Sequence, residues 1–168
     1  QFMKAAAQEY SLEVSDQVDE RYHLEKATQA ACDYLNKAKR STGSWTMAAA
    51  AYNAGVAGMN KQTTFQQTNN YYDLYLNSET SRYVFRILAV KEIMKHPKKY
   101  GFIFDKKHLY NEFPTYNVMV DSTIENLTDF AKSQNVTYKE LKNYNPWLRD
   151  RKLDNKDGKT YYIRIPKK

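Results

Sequence analysis

The sequence predicts a mainly α-helical protein that ends in a small α+β module, and three observations carry that prediction. Apolar residues recur at three- and four-residue steps up to about residue 97, glycines interrupt them, and beyond residue 115 the apolar period shortens to two. The 168 residues have room for one ordinary domain or two small ones, and a hydrophobic share of 42% allows real cores.

Taken in order, Leu24, Ala27, Ala31, Tyr34, Leu35 and Ala38 share one helix face, and Gly43 breaks the pattern. Trp45, Ala48, Ala49 and Tyr52 repeat the spacing, and Gly55 and Gly58 are expected to end that helix. Asn60 to Asn70 is rich in Gln, Thr and Asn and reads as a loop, either an ordinary surface loop or one that covers or extends a cleft. The most apolar helix runs from Glu79 to Lys95. Its residues Tyr83 to Val90 are apolar nearly all round except at Arg86, which predicts a buried central helix stopped by His96-Pro97. Residues 98–114 mix charges, Gly101, Pro114 and aromatics without a period, as a connector does.

The last segment alternates at Tyr116, Val118 and Val120, a strand pattern. Ser122-x-x-Glu125 and Thr137-x-x-Glu140 are capping boxes, each expected to open a short helix, the first carrying Ile124, Leu127, Phe130 and Ala131, the second Leu141 and Tyr144. Asp157-Gly158 marks a turn before Tyr161, Ile163 and Ile165, a second alternating strand. The order is βααβ.

The net charge is +7, spread over scattered lysines with short clusters at Lys98-Lys99, Lys106-Lys107 and Lys167-Lys168. No recognition motif accompanies that charge, so no nucleic-acid partner is expected. Fifteen tyrosines give apolar rings with polar tips, which suit wet stacking surfaces such as those that meet sugars. Cys32, alone in an alanine-rich stretch, reads as a small core residue, and His23, His96 and His108 lie too far apart for ligand spacing; neither a metal nor a cofactor is expected. No run is long and apolar enough to span a membrane, and the chain opens at Gln1; the expectation is a fragment or processed product, any membrane anchor lying upstream.

Glycosidic-bond cleavage needs a carboxylic acid in dry surroundings. Glu92 is flanked by Lys91 and Lys95, Glu79 sits at a helix start, and Glu9, Glu13, Glu20 and Glu25 lie among polar residues. None reads as a general acid.

Ala48 to Gly58, AAAAYNAGVAG, resembles the Ala-Tyr-Asn-Ala-Gly motif of soluble lytic transglycosylase (SLT-type) domains. Gln1-Phe2-Met3 resembles the end of their Gly-Leu-x-Gln-(Ile/Phe)-Met-Pro motif, and Ser81-Arg82-Tyr83-Val84 their Tyr-Val element. The three occur in family order over roughly residues 1–100, with Lys4 where proline is usual and His23-Leu24 where Asp-Pro is common. Residues Thr115 to Pro166 resemble a LysM module: Tyr116-Asn117-Val118, Asn145-Pro146-Trp147-Leu148 and Tyr162-Ile163-Arg164-Ile165-Pro166 match its elements. Asp121-Ser122-Thr123-Ile124 departs from the usual Gly-Asp-Thr-Leu, and Arg149 to Lys159 is longer than the usual connector.

The resemblance implies a partial lysozyme-like helical lobe at residues 1–97, a connector at 98–114 and a LysM-like domain at 115–168. It implies a peptidoglycan lytic transglycosylase of the bacterial cell envelope, periplasmic or outer-membrane associated, acting as a monomer on glycan strands. A glutamate protonates the bond between N-acetylmuramic acid and N-acetylglucosamine, and the muramic 6-hydroxyl then closes a 1,6-anhydro ring. The family glutamate lies in a Glu-Ser motif before the segment matched by Gln1, so this stretch alone is expected to be inactive. By the same resemblance Gln1, Met3, Tyr52 and Asn53 contact substrate, and Tyr83 supports the acid. The alternative is a non-catalytic peptidoglycan- or chitooligosaccharide-binding protein.

Overall fold

Residues 2–167 are described by a computed structural model. Among them lie seven helices, α1 (Lys4–Glu9), α2 (Leu24–Thr42), α3 (Trp45–Ala54), α4 (Val56–Gln66), α5 (Ser78–Lys95), α6 (Leu127–Ser133) and α7 (Tyr138–Tyr144), and two strands, β1 (Thr115–Val120) and β2 (Tyr161–Pro166). The molecule is mainly helical with one small sheet, the class the sequence predicts. It divides into two compact units: Gln1–Ala30 together with Asn111–Lys168, and Ala31–Tyr110.

In the first unit β1 and β2 pair antiparallel, with Val118 opposite Ile163 and Val120 opposite Tyr161. The pleat sends Tyr161, Ile163 and Ile165 inward, and they meet Leu127, Ala131, Leu141, Leu148 and Leu153 in one core. Thr137 and Glu140 form the expected capping box: the Thr137 hydroxyl accepts from Glu140 N at 3.1 Å, and the Glu140 carboxylate accepts from Thr137 N at 2.7 Å. The Ser122 box does not form. Asn126 caps α6 instead, because Ile124 is drawn into a bridge with Leu153, N to O at 2.9 Å both ways, and never joins the helix.

Residues 10–23 hold no α-helix, only a 3-10 turn at Glu20–Tyr22. Val14 pairs with Asp19 and Val18 with Leu148, while Arg149 N donates to Gln17 O at 2.7 Å and Asp19 N to Trp147 O at 2.8 Å. Gln17 completes the junction, its Nε2 donating to Asp154 Oδ2 and its Oε1 accepting from Asp154 N. This extended segment satisfies its backbone on the loop after α7, which explains why no helix period governs it.

In the second unit Gly43 (φ 85°) ends α2's run, and Ser44 caps α3 by accepting from Met47 N at 3.1 Å. Gly55 (φ 80°) turns the chain between α3 and α4, a conformation side chains other than glycine's rarely adopt. The expected loop over residues 60–70 is helical to Gln66, and Gly58 lies inside α4 and does not end a helix. Met59 is the sole buried residue of α4, so an otherwise polar helix carries no period to read. Gln66 ties its end down, exchanging hydrogen bonds with both backbone groups of Tyr75.

Three burial expectations are overturned. The helix read as buried, α5, buries only Thr80 and Val84; Phe85, Ile87, Leu88, Val90 and Met94 stay exposed, because among the described residues its neighbours, chiefly α3 and the Tyr71–Asp73 turn, cover one side of it. Cys32 is exposed and forms no part of a core, since the buried positions nearest it on α2 are Ala30 and Ala38. Leu24, one of the six face residues, is exposed as well.

Candidate functional site

The site grows from the crossing of α3 and α5. Ala48, Ala50 and Ala51 are fully buried, and residues this small let helix backbones approach closely. Tyr34 on α2 donates its hydroxyl to Ala51 O at 2.8 Å and meets Tyr52 edge-on, centroids 5.4 Å apart at 90°. The last turn of α3 is thereby held, with Asn53 exposed on it.

The start of α5 is built as firmly. Asn77 caps it, accepting from Glu79 N at 3.0 Å and Thr80 N at 2.9 Å. The buried Tyr71 hydroxyl lies 2.8 Å from Thr80 O and 2.7 Å from Ser81 O, to which it donates. Thr80, 1% exposed, then donates from Oγ1 to Asn53 Oδ1 at 2.9 Å. That bond uses the amide's carbonyl end and leaves its two N–H donors for another partner.

Tyr83 stands three residues beyond Thr80, hence on the same helix face, and is half-buried. Burial pushes its phenol above the ordinary value, with Tyr52 and Glu79 adding to the shift. Tyr83, Ile87, Val90 and Met94 line an apolar trough of about 630 Å³ rimmed by Glu79, Arg86 and Lys91. Glu79 pairs with Arg86 at 3.0 Å and is largely exposed. It lacks the dry surroundings of a proton donor.

Of the residues singled out in the sequence, Tyr52, Asn53 and Tyr83 belong to this one cluster. Met3 is exposed at the head of α1 in the other unit, and Gln1 lies outside the described residues. Sequence reasoning missed Thr80, Tyr71 and Tyr34, which orient the others. Thr80 had a signal, a hydroxyl one turn before Tyr83; Tyr34 was legible only as a member of a helix face. No cluster of three or more metal-ligating side chains occurs among the described residues.

The end of α3 and the start of α5 present one amide, a βααβ module follows, and the comparisons with known proteins match both parts. Residues 1–75 match the Transglycosylase SLT domain, and residues 116–168 match the Soluble lytic transglycosylase C-terminal LysM-like domain. The chain is thus similar to an SLT segment followed by a LysM-like one. It is similar over its whole length to Membrane-bound lytic murein transglycosylase D of Escherichia coli strain K12, 24% identical over 180 residues. The protein of that name from Escherichia coli O6:H1 matches with the same figures, and the chain spans 37% of each relative's length.

Proposed function

We propose that this chain is the glycan-gripping part of a peptidoglycan lytic transglycosylase that cleaves the MurNAc–GlcNAc bond and releases 1,6-anhydroMurNAc ends. The observation that carries the reading is the Thr80–Asn53 hydrogen bond, which ties the AYNAG motif to the residue just before the SRYV motif across two helices and leaves the Asn53 N–H groups uncommitted. Asn53 donates to the sugar next to the scissile bond, and Tyr83 donates to the catalytic carboxylate and positions it. Gln1, Met3 and Tyr52 contribute further glycan contacts. In this reading residues 1–97 belong to the lysozyme-like lobe, 98–114 connect, and 115–168 form the LysM-like module. The protein works as a monomer in the bacterial envelope; no helix among the described residues is long and apolar enough to cross a membrane.

Among the described residues no carboxylate near Asn53 and Tyr83 is dry enough to serve as the acid, Glu79 being exposed and paired with Arg86. These residues therefore grip and do not transfer the proton. That observation also favours a second reading, a wall-binding protein without catalysis.

Digestion of purified murein sacculi by the longest natural form of the protein separates the two. Anhydromuropeptides establish the transglycosylase, and Asn53→Ala is expected to lower their release by about 100- to 1,000-fold, the effect of losing one well-placed donor. Reducing-end products would mark a hydrolase, and sedimentation with sacculi without any release would mark the binder.

A further inference from the structure

The SLT-like and LysM-like parts, separate in sequence, are joined in the first unit, where Gln1–Ala30 packs with Asn111–Lys168. The joint is a hairpin over residues 13–20. Val14 bridges to Asp19, Glu20 N donates to Glu13 O at 2.8 Å, and the Glu20 carboxylate accepts from Glu13 N at 2.8 Å. One side of this hairpin is fastened to the C-terminal module. Val18 bridges Leu148, Asp19 N donates to Trp147 O, and Gln17 grips Asp154 through both ends of its amide. The Glu13 carboxylate accepts from the Tyr161 hydroxyl at 3.0 Å and from the Lys159 ammonium at 3.1 Å.

From the hairpin a single guanidinium reaches back to the head of α1. Arg21 donates from Nε to Asp19 Oδ1 at 2.9 Å and from Nη2 to Asp19 Oδ2 at 2.7 Å, while its Nη1 donates to Phe2 O at 3.1 Å. Asp19 is 6% exposed, and its Oδ1 also accepts from Arg21 N, so the carboxylate is held on every side. A planar guanidinium bound along one edge by a carboxylate aims its remaining donor in a fixed direction. A shift of Asp19 is therefore passed on to Phe2. The Phe2 ring stacks on Tyr10 with centroids 5.9 Å apart and packs against Ala7, Leu12 and Ala30. Met3 follows, its carbonyl accepting from Ala7 N at 2.9 Å at the start of α1. The Met3 side chain is largely exposed, so the backbone on either side decides where it points.

We propose that Asp19 and Arg21 are positioning residues that carry the placement of the C-terminal module, from Trp147 through the hairpin, to the Phe2–Met3 backbone. The module is then a brace for the part of the glycan grip that Met3 supplies. That Met3 meets glycan rests on the function proposed above; the coupling rests on the hydrogen bonds.

The test has two readouts: the carbonyl carbon resonance of Phe2 in the whole chain, and KM and kcat for anhydromuropeptide release from solubilised murein strands by the longest natural form. Arg21→Lys keeps the charge and loses the fork, whereas Gln17→Ala loosens the hairpin only where it meets Asp154. Both should move the Phe2 resonance in the same direction. KM should rise about tenfold in Arg21→Lys and about threefold in Gln17→Ala with kcat unchanged, the pattern of lost ground-state binding. The double variant should be no worse than Arg21→Lys alone, because both act along one path. Gln17 is only half-buried, so its variant carries the test should Arg21→Lys fail to fold. A Phe2 resonance that Gln17→Ala leaves in place, or KM increases that add in the double variant, overturns the coupling. A fall in kcat at constant KM overturns the positioning role and leaves the transglycosylase reading standing. A moved resonance in a protein that releases no anhydromuropeptides supports the coupling and sinks that reading.

Discussion

Where Gln1–Ala30 and Asn111–Lys168 pack, the core is rich in large aliphatics, Leu127, Leu141, Leu148, Leu153, Ile163 and Ile165; where Ala31–Tyr110 packs, Ala38, Ala48, Ala50 and Ala51 sit among Met47, Met59, Tyr71, Leu74 and Val84. The first kind of core is stabilised by side-chain area, about 1.5–3 kcal/mol for each large residue taken out of water. The second relies more on small residues that let helices approach closely, and most of the large apolar residues on α5, Phe85, Ile87, Leu88, Val90 and Met94, are left outside. The contrast teaches that one chain can hold a unit organised for stability and another organised to set two helix ends side by side, which is what presents Asn53 and Tyr83.

The comparison breaks first under substitutions that change side-chain size. Leu141→Ala should cost about 2–5 kcal/mol, the usual range for a buried leucine, read as lost hydrogen-exchange protection at the amides of β2 and α7. Leu88→Ala on the exposed stripe of α5 is the control, and its cost should stay within about 0.5 kcal/mol. Equal effects at the two leucines would mean that the units do not differ as described.

In the alanine-built unit the sensitive direction is reversed. Ala50→Leu forces a larger group into a fully buried position and should cost about 1–3 kcal/mol, seen in exchange protection along α3. A neutral outcome would show that α3 and α5 do not pack closely. Tyr71→Phe removes the hydroxyl that serves the Thr80 and Ser81 carbonyls, and should cost about 0.5–1.5 kcal/mol. The Asn53 side-chain amide resonance should move with it; an unmoved resonance would separate Tyr71 from the site.

The smallest expected effect is a loss of stability on acidification, and it belongs to the first unit. Burial holds His23 below its ordinary value of 6.5, with Glu25 and Glu20 acting to raise it and Lys26 and Arg164 to lower it. The unfolded chain then takes up the proton more readily, so stability is full above about pH 6.5 and falls from there down to the lower folded value. The hydrogen bond from Arg21 chiefly holds Asp19 below 3.8, so its contribution is full above that pH and is lost as pH falls through the folded value. Exchange protection at Val18 and Leu148 measured from pH 7.5 to 3.5 should decline in the first range in the wild type and less in His23→Gln. An identical decline in that variant would remove His23 as the cause.

Much was legible because local chemistry decided it. Thr137 and Glu140 cap α7 with groups three residues apart, the β1 and β2 patterns follow from the pleat, and Gly43 and Gly55 stop helices through a φ that glycine alone adopts cheaply. Asn53 and Tyr83 were readable from the short motifs that contain them, and both enter one cluster. What local pattern could not reveal turned on partners distant in sequence. Ile124 leaves a well-formed capping box for Leu153, Gln17 finds Asp154, and α5 stays exposed because burial requires a neighbouring surface as well as an apolar sequence. Periodicity states which face a segment could bury; only the tertiary fold, by bringing surfaces together, decides which faces are buried and which remain open to a ligand.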